Sequence, residues 1–417
     1  MFLILLIPLC LSVDIHLNPL VEALPADVPA LSLTTADYYG SNISPRRASL
    51  EIHSKSDRDI VLLKSYDRYD YLFNVAHLKL RLTNLSLLAP ESASLIHAYQ
   101  NSTVELMNVF HAYTYRPYSL IFVDLSAVYI FNNTFMNGSR FGEPIVKYRY
   151  AEQRPVSHNV TLEQCVISDI LLLNESPFAV GITASHVTVI DCIFNRVLSN
   201  STRAPYLDLP FTLASSTFKN VTFNSCHAPL AGGLFYGVQS VECFISNVNV
   251  TNCSNSVIHS WMNFNRTTNV SISDSSFTGC YSSQQYPNGS ALYIPNSANL
   301  WINGTKFRNN TALAYGGSIW VNGTVEQLSI NQTSFASNVA SFGGAISVRK
   351  LSSEQYASFS VMNSVFTNRA QLGSDLHFEE MGTRLTESNF SKCQSRSASA
   401  RIYDAKTRKG FDWTNTR

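Results

Sequence analysis

The hydrophobic positions of this chain follow a repeated template and not a helical period. Phe277, Phe307, Phe335 and Phe366 are separated by 30, 28 and 31 residues. Around them the sequence reads apolar-x-apolar-x-polar-x-x-Phe-x-x-Asn/Cys. The alternating start predicts a short strand with two inward side chains. The polar residue predicts a bend, because Asn, Asp and Gln side chains hydrogen-bond to nearby backbone, and the Phe then returns to the interior.

Further copies of the template extend through most of the chain. The copies start at Leu80, Val128, Val160, Val187, Val270, Leu300, Leu328 and Phe359, with degenerate versions around Phe218, Val250 and Phe390. The Val128 copy, for example, assigns Val128, Ile130 and Phe135 to the interior. About a dozen units with a period near 28 residues indicate a repeat architecture.

Units with short strands and no helical periodicity predict a coil in which each turn stacks on the last in parallel sheets. Parallel connections favour a right-handed coil. We therefore expect an all-β fold, a right-handed parallel β-helix (solenoid) of about a dozen turns. The alternatives are a β-propeller, whose blades are nearer 40 residues, and a β-sandwich, which does not repeat one template.

Two of the units carry a more specific motif. The segments Phe307-Arg308-Asn309-Asn310 and Phe335-Ala336-Ser337-Asn338 are followed by Gly316-Gly317-Ser318-Ile319 and Gly343-Gly344-Ala345-Ile346. These resemble the FxxN and GGA[IL] repeats of the chlamydial-type polymorphic outer membrane proteins. The resemblance implies a β-helical surface protein associated with adhesion to host cells.

Composition supports a stacked β architecture. Only 14% of residues are charged, the formal net charge is +1 and 45% of residues are hydrophobic. A charge repeated at one position would face its copy in the next turn, whereas Asn, Ser, Thr and Phe can stack on themselves. The balance of charge gives no reason to expect a nucleic-acid partner.

The two ends of the chain lack the template. Residues 1–12 contain an apolar run that predicts a secretory signal peptide, too short to span a bilayer. Residues 13–50 are expected to form a leader and cap, 51–395 the β-helix, and 396–417 a basic, loose tail. No later stretch predicts a transmembrane helix, so we expect a secreted or cell-surface protein.

Nineteen Asn-x-Ser/Thr triplets occur in the chain. In a secreted protein such triplets are acceptors for N-linked glycans and indicate exposed asparagines. An alternative is that repeats rich in Asn and Thr generate them without any modification. The glycosylation candidates are Asn84, Asn132, Asn220, Asn303, Asn322 and Asn331.

Cysteines recur at equivalent positions of neighbouring units. Cys165 and Cys192 form one set, and Cys226, Cys253 and Cys280 form another. Equivalent Cα atoms about 4.8 Å apart lie within disulfide range, although parallel Cβ directions place the Cβ atoms slightly wide. These five residues are therefore disulfide candidates. The alternative is that Cys replaces Asn or Val as a small buried residue.

The titratable residues do not predict a catalytic site or a cofactor. Asp191 and Asp274 share a template position but lie three turns apart, about 14 Å, which is wider than a glycosidase carboxyl pair. One weak metal candidate is Asp375, His377 and Glu379, which strand alternation places on one outward face with Leu376 and Phe378 inward. A solvated strand face is the alternative.

These features favour a non-catalytic, adhesin-like interaction scaffold that binds a host-cell or extracellular glycan or protein. The alternative function is a polysaccharide-active enzyme with a pectin lyase-like β-helix. Because the fold identifies architecture more strongly than activity, the ligand is not specified by the sequence.

Overall fold

The structure, a computed structural model, is a coil of short β-strands that stack in parallel. It describes residues 15–16, 20, 30–33, 37–40, 49–54, 62–65, 72–88, 96–99, 102–112, 115–116, 121–124, 127–132, 135–137, 140–141, 146–148, 159–169, 171–172, 179–181, 186–199, 207–209, 215–228, 235–238, 242–255, 262–282, 291–351, 358–362, 364–380, 390–391, 394–395, 402–404 and 409–411. The predicted signal peptide, residues 1–12, lies outside these ranges.

Two sheets contain all of the strands in the described ranges. Sheet I has 25 strands: β2 (Ala30–Leu33), β4 (Ser49–Ser54), β6 (Phe73–Ala76), β7 (Lys79–Thr83), β9 (Ile96–Tyr99), β10 (Ser102–Met107), β13 (Ile121–Asp124), β14 (Ala127–Asn132), β17 (Val146–Tyr148), β18 (Asn159–Glu163), β21 (Ala179–Gly181), β22 (His186–Ile190), β25 (Leu207–Leu209), β26 (Ser215–Lys219), β29 (Phe235–Val238), β30 (Glu242–Ser246), β33 (Met262–Ser273), β36 (Leu292–Asn303), β39 (Ile319–Asn331), β41 (Ile346–Leu351), β42 (Ser358–Met362), β44 (Leu376–Glu380), β45 (Phe390–Ser391), β47 (Ile402–Asp404) and β48 (Lys409–Phe411).

Sheet II has 23 strands in the same ranges: β1 (Ile15–His16), β3 (Asp37–Gly40), β5 (Leu62–Ser65), β8 (Ser86–Leu88), β11 (Phe110–Ala112), β12 (Tyr115–Arg116), β15 (Phe135–Asn137), β16 (Arg140–Phe141), β19 (Val166–Ser168), β20 (Leu171–Leu172), β23 (Ile193–Asn195), β24 (Leu198–Ser199), β27 (Thr222–Asn224), β28 (His227–Ala228), β31 (Asn249–Thr251), β32 (Ser254–Asn255), β34 (Ser276–Thr278), β35 (Tyr281–Ser282), β37 (Lys306–Arg308), β38 (Thr311–Ala312), β40 (Ser334–Val339), β43 (Val365–Arg369) and β46 (Gln394–Ser395).

From Gln164 to Ser337, each turn of the coil bends at two residues with left-handed backbone. After β36 the chain bends at Gly304 (φ 60°), forms β37, bends again at Asn309 (φ 54°) and forms β38 before it returns to sheet I. The first bend is the polar position of the sequence template. It is left-handed at Asn84, Gln164, Asp191, Asp274 and Gln332, with φ between 48° and 56°. Asn and Asp tolerate this conformation better than most residues, so the predicted bend is confirmed there.

A column of phenylalanines fills the interior next to sheet II. Phe277, Phe307, Phe335 and Phe366 pair in parallel register. Their rings stack with centroids 5.0, 5.0 and 4.9 Å apart, and all four are fully buried. The column continues backwards through Val250 and Phe223. The parallel β-helix with a period near 28 residues is therefore confirmed.

The two glycines of the Gly-Gly motif have different roles at the corner before sheet I. Gly316 and Gly343 have left-handed backbone, with φ of 57° and 64°. Gly317 and Gly344 lack that conformation, but a Cβ on Gly317 would run into the carbonyl oxygen of Gly344 in the next turn. The first glycine is thus needed for its conformation and the second for the close approach of neighbouring turns.

The unit around Val128 has a different register from the one its sequence predicts. Tyr129 and Phe131 pair with Val160 and Leu162, so Val128, Ile130 and Phe135 are each shifted by one residue from the predicted template. The segment Ala127–Asn132 alternates apolar residues on both faces. A period of two therefore cannot decide which face is inward, and a slip of one residue reverses every side chain.

Both ends of the chain contribute strands to the sheets. Residues 13–50, predicted to form a leader and cap, include β1 and β2, which pair with β3 and β4 in parallel. Within residues 396–417, predicted to be a loose basic tail, β47 pairs in parallel with β44. β48 then adds to β47 in antiparallel orientation and so covers the edge of β47. Within the described residues no helix is long and apolar enough to cross a membrane.

Where charges stack on the outer face of sheet I, their signs alternate. Glu51, Arg81 and Glu105 occupy one column. Glu105 accepts hydrogen bonds from Lys79 (2.7 Å) and Arg81 (2.6 Å). Burial raises the pKa of the Glu105 carboxyl, but these two hydrogen bonds outweigh it and leave that pKa below its ordinary value. The charge column is therefore tolerated because each charge contacts one of opposite sign.

We expect Phe307→Ala to lower the free energy of unfolding by about 3–5 kcal/mol, because it removes a buried ring stacked on both sides. Phe244→Ala is the matched control, since Phe244 is 45% exposed and should change stability by less than about 1 kcal/mol. Chemical denaturation of each variant measures the difference. Equal losses for the two variants would contradict the inward assignment of the phenylalanine column.

Candidate functional site

The structure separates the three residues of the weak metal candidate. Asp375 and His377 are buried, at 0% and 2% exposure, and Glu379 is partly exposed. Asp375 accepts a hydrogen bond from the Asn368 amide (3.0 Å), and His377 bonds to Ser347 (3.1 Å). Among the described residues no group of three or more His, Cys, Asp and Glu side chains is arranged to hold a metal ion. The structure therefore shows neither the proposed metal site nor the alternative, a solvated strand face.

The reason for this error is a third copy of the glycine corner. Gly373 has φ of 60°, and Asp375 occupies the position of Ala345 in the preceding turn. Asp375 therefore belongs to the corner and bonds to the buried Asn column, while β44 begins at Leu376. The sequence Leu372-Gly373-Ser374-Asp375-Leu376 could have revealed this if it had been aligned with the Gly-Gly motif.

His377 instead lies in an aromatic cluster on the outer face of sheet I, which we call the aromatic corner: Tyr293, Tyr315, Trp320, Phe342 and His377. Its inner layer lies on the strands, where Tyr293 stacks on Trp320 with centroids 4.8 Å apart. Its outer layer comes from the glycine corner, where Tyr315 stacks on Phe342 at 4.9 Å. Tyr315 also stacks on Trp320 at 5.7 Å. The sequence analysis did not identify this cluster.

Polar groups at the rim of the aromatic corner are paired with one another. Asn322 donates from its amide to the Tyr293 hydroxyl (3.1 Å) and accepts from Arg349 (3.1 Å). Arg349 also lies 3.6 Å from the Glu379 carboxylate. Burial, followed by hydrogen bonding to Glu379, raises the pKa of Tyr315 to about 12. Tyr315 is therefore neutral at physiological pH and acts as a hydrogen-bond donor.

The Ser347–His377 hydrogen bond resembles the pairing of a nucleophile with a base, but its surroundings are those of a packed structure. Both side chains are buried, at 0% and 2% exposure. The Phe342 and Tyr315 rings lie 5.1 and 5.9 Å from the imidazole. A nucleophile must reach its substrate, and these rings cover the pair. Within the aromatic corner, Tyr293, Trp320 and His377 are buried, and Tyr315 and Phe342 are partly exposed.

The disulfide candidates occupy two columns whose later turns carry hydrogen-bonding side chains, with Val221 and Val248 in between in the first column. Cys165 and Cys192 stand where later turns have Ser275, Thr305, Thr333 and Ser364. The Cys192 thiol donates to the Ile190 carbonyl two residues earlier, as the Thr333 hydroxyl does to Asn331. It also accepts from the Cys165 backbone amide at 3.4 Å. A thiol thus replaces a hydroxyl with the same two partners.

The second cysteine column is continuous with the asparagines of the FxxN motif. Cys226, Cys253 and Cys280 are followed by Asn310, Asn338 and Asn368, all buried. The Asn310 oxygen accepts from the Cys280 backbone amide (2.9 Å), and its amide donates to the Phe277 carbonyl (3.0 Å). The Cys253 sulfur bonds in the same way to the Cys226 amide (3.4 Å) and the Phe223 carbonyl (3.8 Å).

The structure contains these cysteines without a disulfide, so the predicted bridges Cys165–Cys192 and those within Cys226, Cys253 and Cys280 are not formed in it. Instead, the Cys192 and Cys253 sulfurs accept hydrogen bonds from backbone amides of the neighbouring turns, and the Cys165 thiol donates to the Glu163 carbonyl of its own turn. The hydrogen bond to Cys165 and then burial raise the pKa of Cys192, and burial raises that of Cys253. Burial also raises the pKa of Cys243 to about 12. Protonated, buried thiols are poor nucleophiles.

Most described glycosylation candidates belong to ladders of stacked amides. Asn331 donates to Asn303 (2.9 Å), and Asn220 donates to Asp191 (2.7 Å) while it accepts from Asn247 (2.8 Å). Asn84 accepts from Asn108 (2.5 Å), and Asn322 is bonded within the aromatic corner. Asn132 ends β14, and its side chain lies outside the described part of the structure. Whether any of them carries a glycan stays a prediction.

A strip of exposed apolar side chains, drawn from three columns and interrupted by Thr311 in one of them, runs beside the aromatic corner. It consists of Tyr281, Leu313, Val339 and Leu372, which are 44%, 47%, 40% and 36% exposed. Tyr281 and Val339 share one column through Thr311, and Leu372 continues the bridges that link Tyr315 and Phe342. The four residues come from consecutive turns. We call them the corner strip.

We expect Cys253→Asn to be less destabilising than Cys253→Val. Asn supplies the same acceptor and donor as Asn310 does, whereas Val leaves the buried Cys226 amide without its acceptor, at a cost of about 1–3 kcal/mol. Denaturation midpoints of the two variants measure the difference, and a peptide map of unreduced protein shows whether the wild-type thiols are free. Equal stability of the two variants, or a cross-linked peptide, would contradict the assignment.

Comparison of the chain with protein-family models, with curated proteins and with solved structures returned no match. The parallel β-helix is therefore shown by the structure alone, and the resemblance of two units to the chlamydial-type repeat remains a resemblance of motifs.

Proposed function

We propose that the protein is a secreted or cell-surface, glycosylated scaffold of the adhesin-like kind, which binds an extracellular partner without catalysis. The observation that carries this proposal is the corner strip beside the aromatic corner. Contiguous exposed apolar surface on a soluble protein is typical of a binding site. Aromatic residues and arginine are also enriched in protein interfaces.

The architecture supports a scaffold because each turn packs only on its neighbours and gives an extended surface. The corner strip is assembled from Tyr281, Leu313, Val339 and Leu372 in consecutive turns, and Arg349 and Arg369 are exposed close to it. A glycan ligand would have to stack on ring faces, but most of the ring faces here are covered by each other. The composition of the strip therefore favours a protein partner.

We expect Leu313→Asp to weaken binding to cultured cells at least tenfold, because it places a charge in the centre of the corner strip. Ile193→Asp is the matched control, since Ile193 is an equally exposed aliphatic residue, at 44%, of an earlier turn. The assay compares both variants with wild type on intact cells and on cells treated with protease or with glycosidases.

Loss of binding after protease treatment, and for Leu313→Asp alone, supports the proposal. Equal binding by the two variants would contradict the assignment of the surface. Binding that is lost only after glycosidase treatment would make the ligand a glycan. Depolymerisation of any member of a polysaccharide panel would instead favour the alternative function of a polysaccharide-active enzyme.

A further inference from the structure

Two structural classes of Asn-x-Ser/Thr triplet can be distinguished among the described residues. In the first class the asparagine belongs to a ladder, as Asn303 and Asn331 do with their 2.9 Å amide bond. The hydroxyl residues of these two triplets, Thr305 and Thr333, are buried and donate to the backbone carbonyl of their own asparagine. A sugar on such an amide would have to fit between neighbouring turns about 4.8 Å apart.

In the second class the asparagine is exposed and outside any ladder. Asn249, Asn252 and Asn309 begin the triplets that end at Thr251, Ser254 and Thr311. All three are exposed, and their side chains form no hydrogen bond with another described residue. Each lies on or directly after a strand of sheet II, so a group attached to its amide nitrogen points to solvent.

A glycine separates two of these positions. Asn252, Gly279 and Asn309 occupy the second left-handed bend of three consecutive turns. A Cβ on Gly279 would lie 2.6 Å from the Asn252 side-chain oxygen. Because Gly279 has no side chain, the space between Asn252 and Asn309 stays open over two strand spacings, about 10 Å. Two attached sugars fit there without displacing a neighbouring turn.

We propose that, among the described triplets, Asn249, Asn252 and Asn309 carry N-linked glycans in the folded protein, and that the ladder residues Asn303 and Asn331 do not. In the modification, the asparagine amide nitrogen attacks C1 of a lipid diphosphate-linked oligosaccharide. The N–C1 bond forms, the C1–O bond to the diphosphate breaks, the diphosphate leaves and the amide proton passes to a base. This inference rests on the proposed entry of the chain into a secretory route.

The modification takes place on chains that are still folding. The folded structure therefore determines which glycosylated chains can complete folding and be released. A substituted amide keeps one N–H, but a glycan on Asn303 or Asn331 would place a sugar against the stacked side chain of the neighbouring turn and hinder its packing. Such chains should stay cell-associated. A glycan on Asn309 leaves every described hydrogen bond intact, and such chains should fold and be released.

The test expresses the full chain in cultured eukaryotic cells with a cleavable secretory signal added in front of it. Glycans are released by an amidase in ¹⁸O-labelled water, which converts each glycosylated Asn to labelled Asp for peptide mapping. In the medium we expect occupancy of Asn309 to exceed that of Asn303 and Asn331 at least fivefold, with the reverse order in retained material. Equal or reversed occupancy in the medium, or no occupancy at any site, would overturn the inference.

Three variants serve as controls. Asn309→Gln and Thr311→Val should each remove the same single glycan from the secreted protein without loss of yield, while Asn331→Gln should leave the glycan pattern unchanged. A glycan lost in Asn331→Gln would contradict the inference. Expression without the added signal is a separate arm. Failure of secretion there would contradict the proposed function, whereas the preference among sites is still measured in the first arm.

Discussion

The structure depends on one constraint, which is that every residue lies about one strand spacing, 4.8 Å, from its counterpart in the next turn. A side chain must therefore be compatible with its own column. The phenylalanines meet this condition by stacking ring on ring, and they are the largest fully buried side chains among the described residues. The exposed asparagines meet it because one amide can donate to the next.

The same constraint explains the substitutions within the columns. A charge is accepted where its neighbour is opposite, as in Glu51, Arg81 and Glu105. A buried polar side chain is tolerated where it accepts a hydrogen bond from the backbone amide of the adjacent turn. Cys253 and Asn310 both do so and can therefore occupy one column. At the glycine corner the backbones themselves approach, and there Gly317 and Gly344 are required.

Much of this could be predicted from the sequence, because a period near 28 residues and the inward phenylalanines are visible in it. The register around Val128 could not, since Ala127–Asn132 is apolar on both faces. Asp375 was misplaced because strand alternation was applied to a residue of the corner. The aromatic corner was missed because Tyr293, Trp320 and His377 are far apart in sequence and meet only once the turns are stacked.

The most direct test is the removal of one whole turn. Deletion of residues 305–332 joins Gly304 to Thr333 and restores the local sequence, because Thr305 and Thr333 are equivalent. Deletion of residues 305–318 removes half as many residues but joins the bend at Gly304 directly to the start of β39. The account predicts that the whole-turn variant keeps a β-type circular dichroism spectrum and a cooperative unfolding transition, and that the half-turn variant loses both. Equal behaviour of the two deletions would contradict the stacking of turns as the basis of the fold.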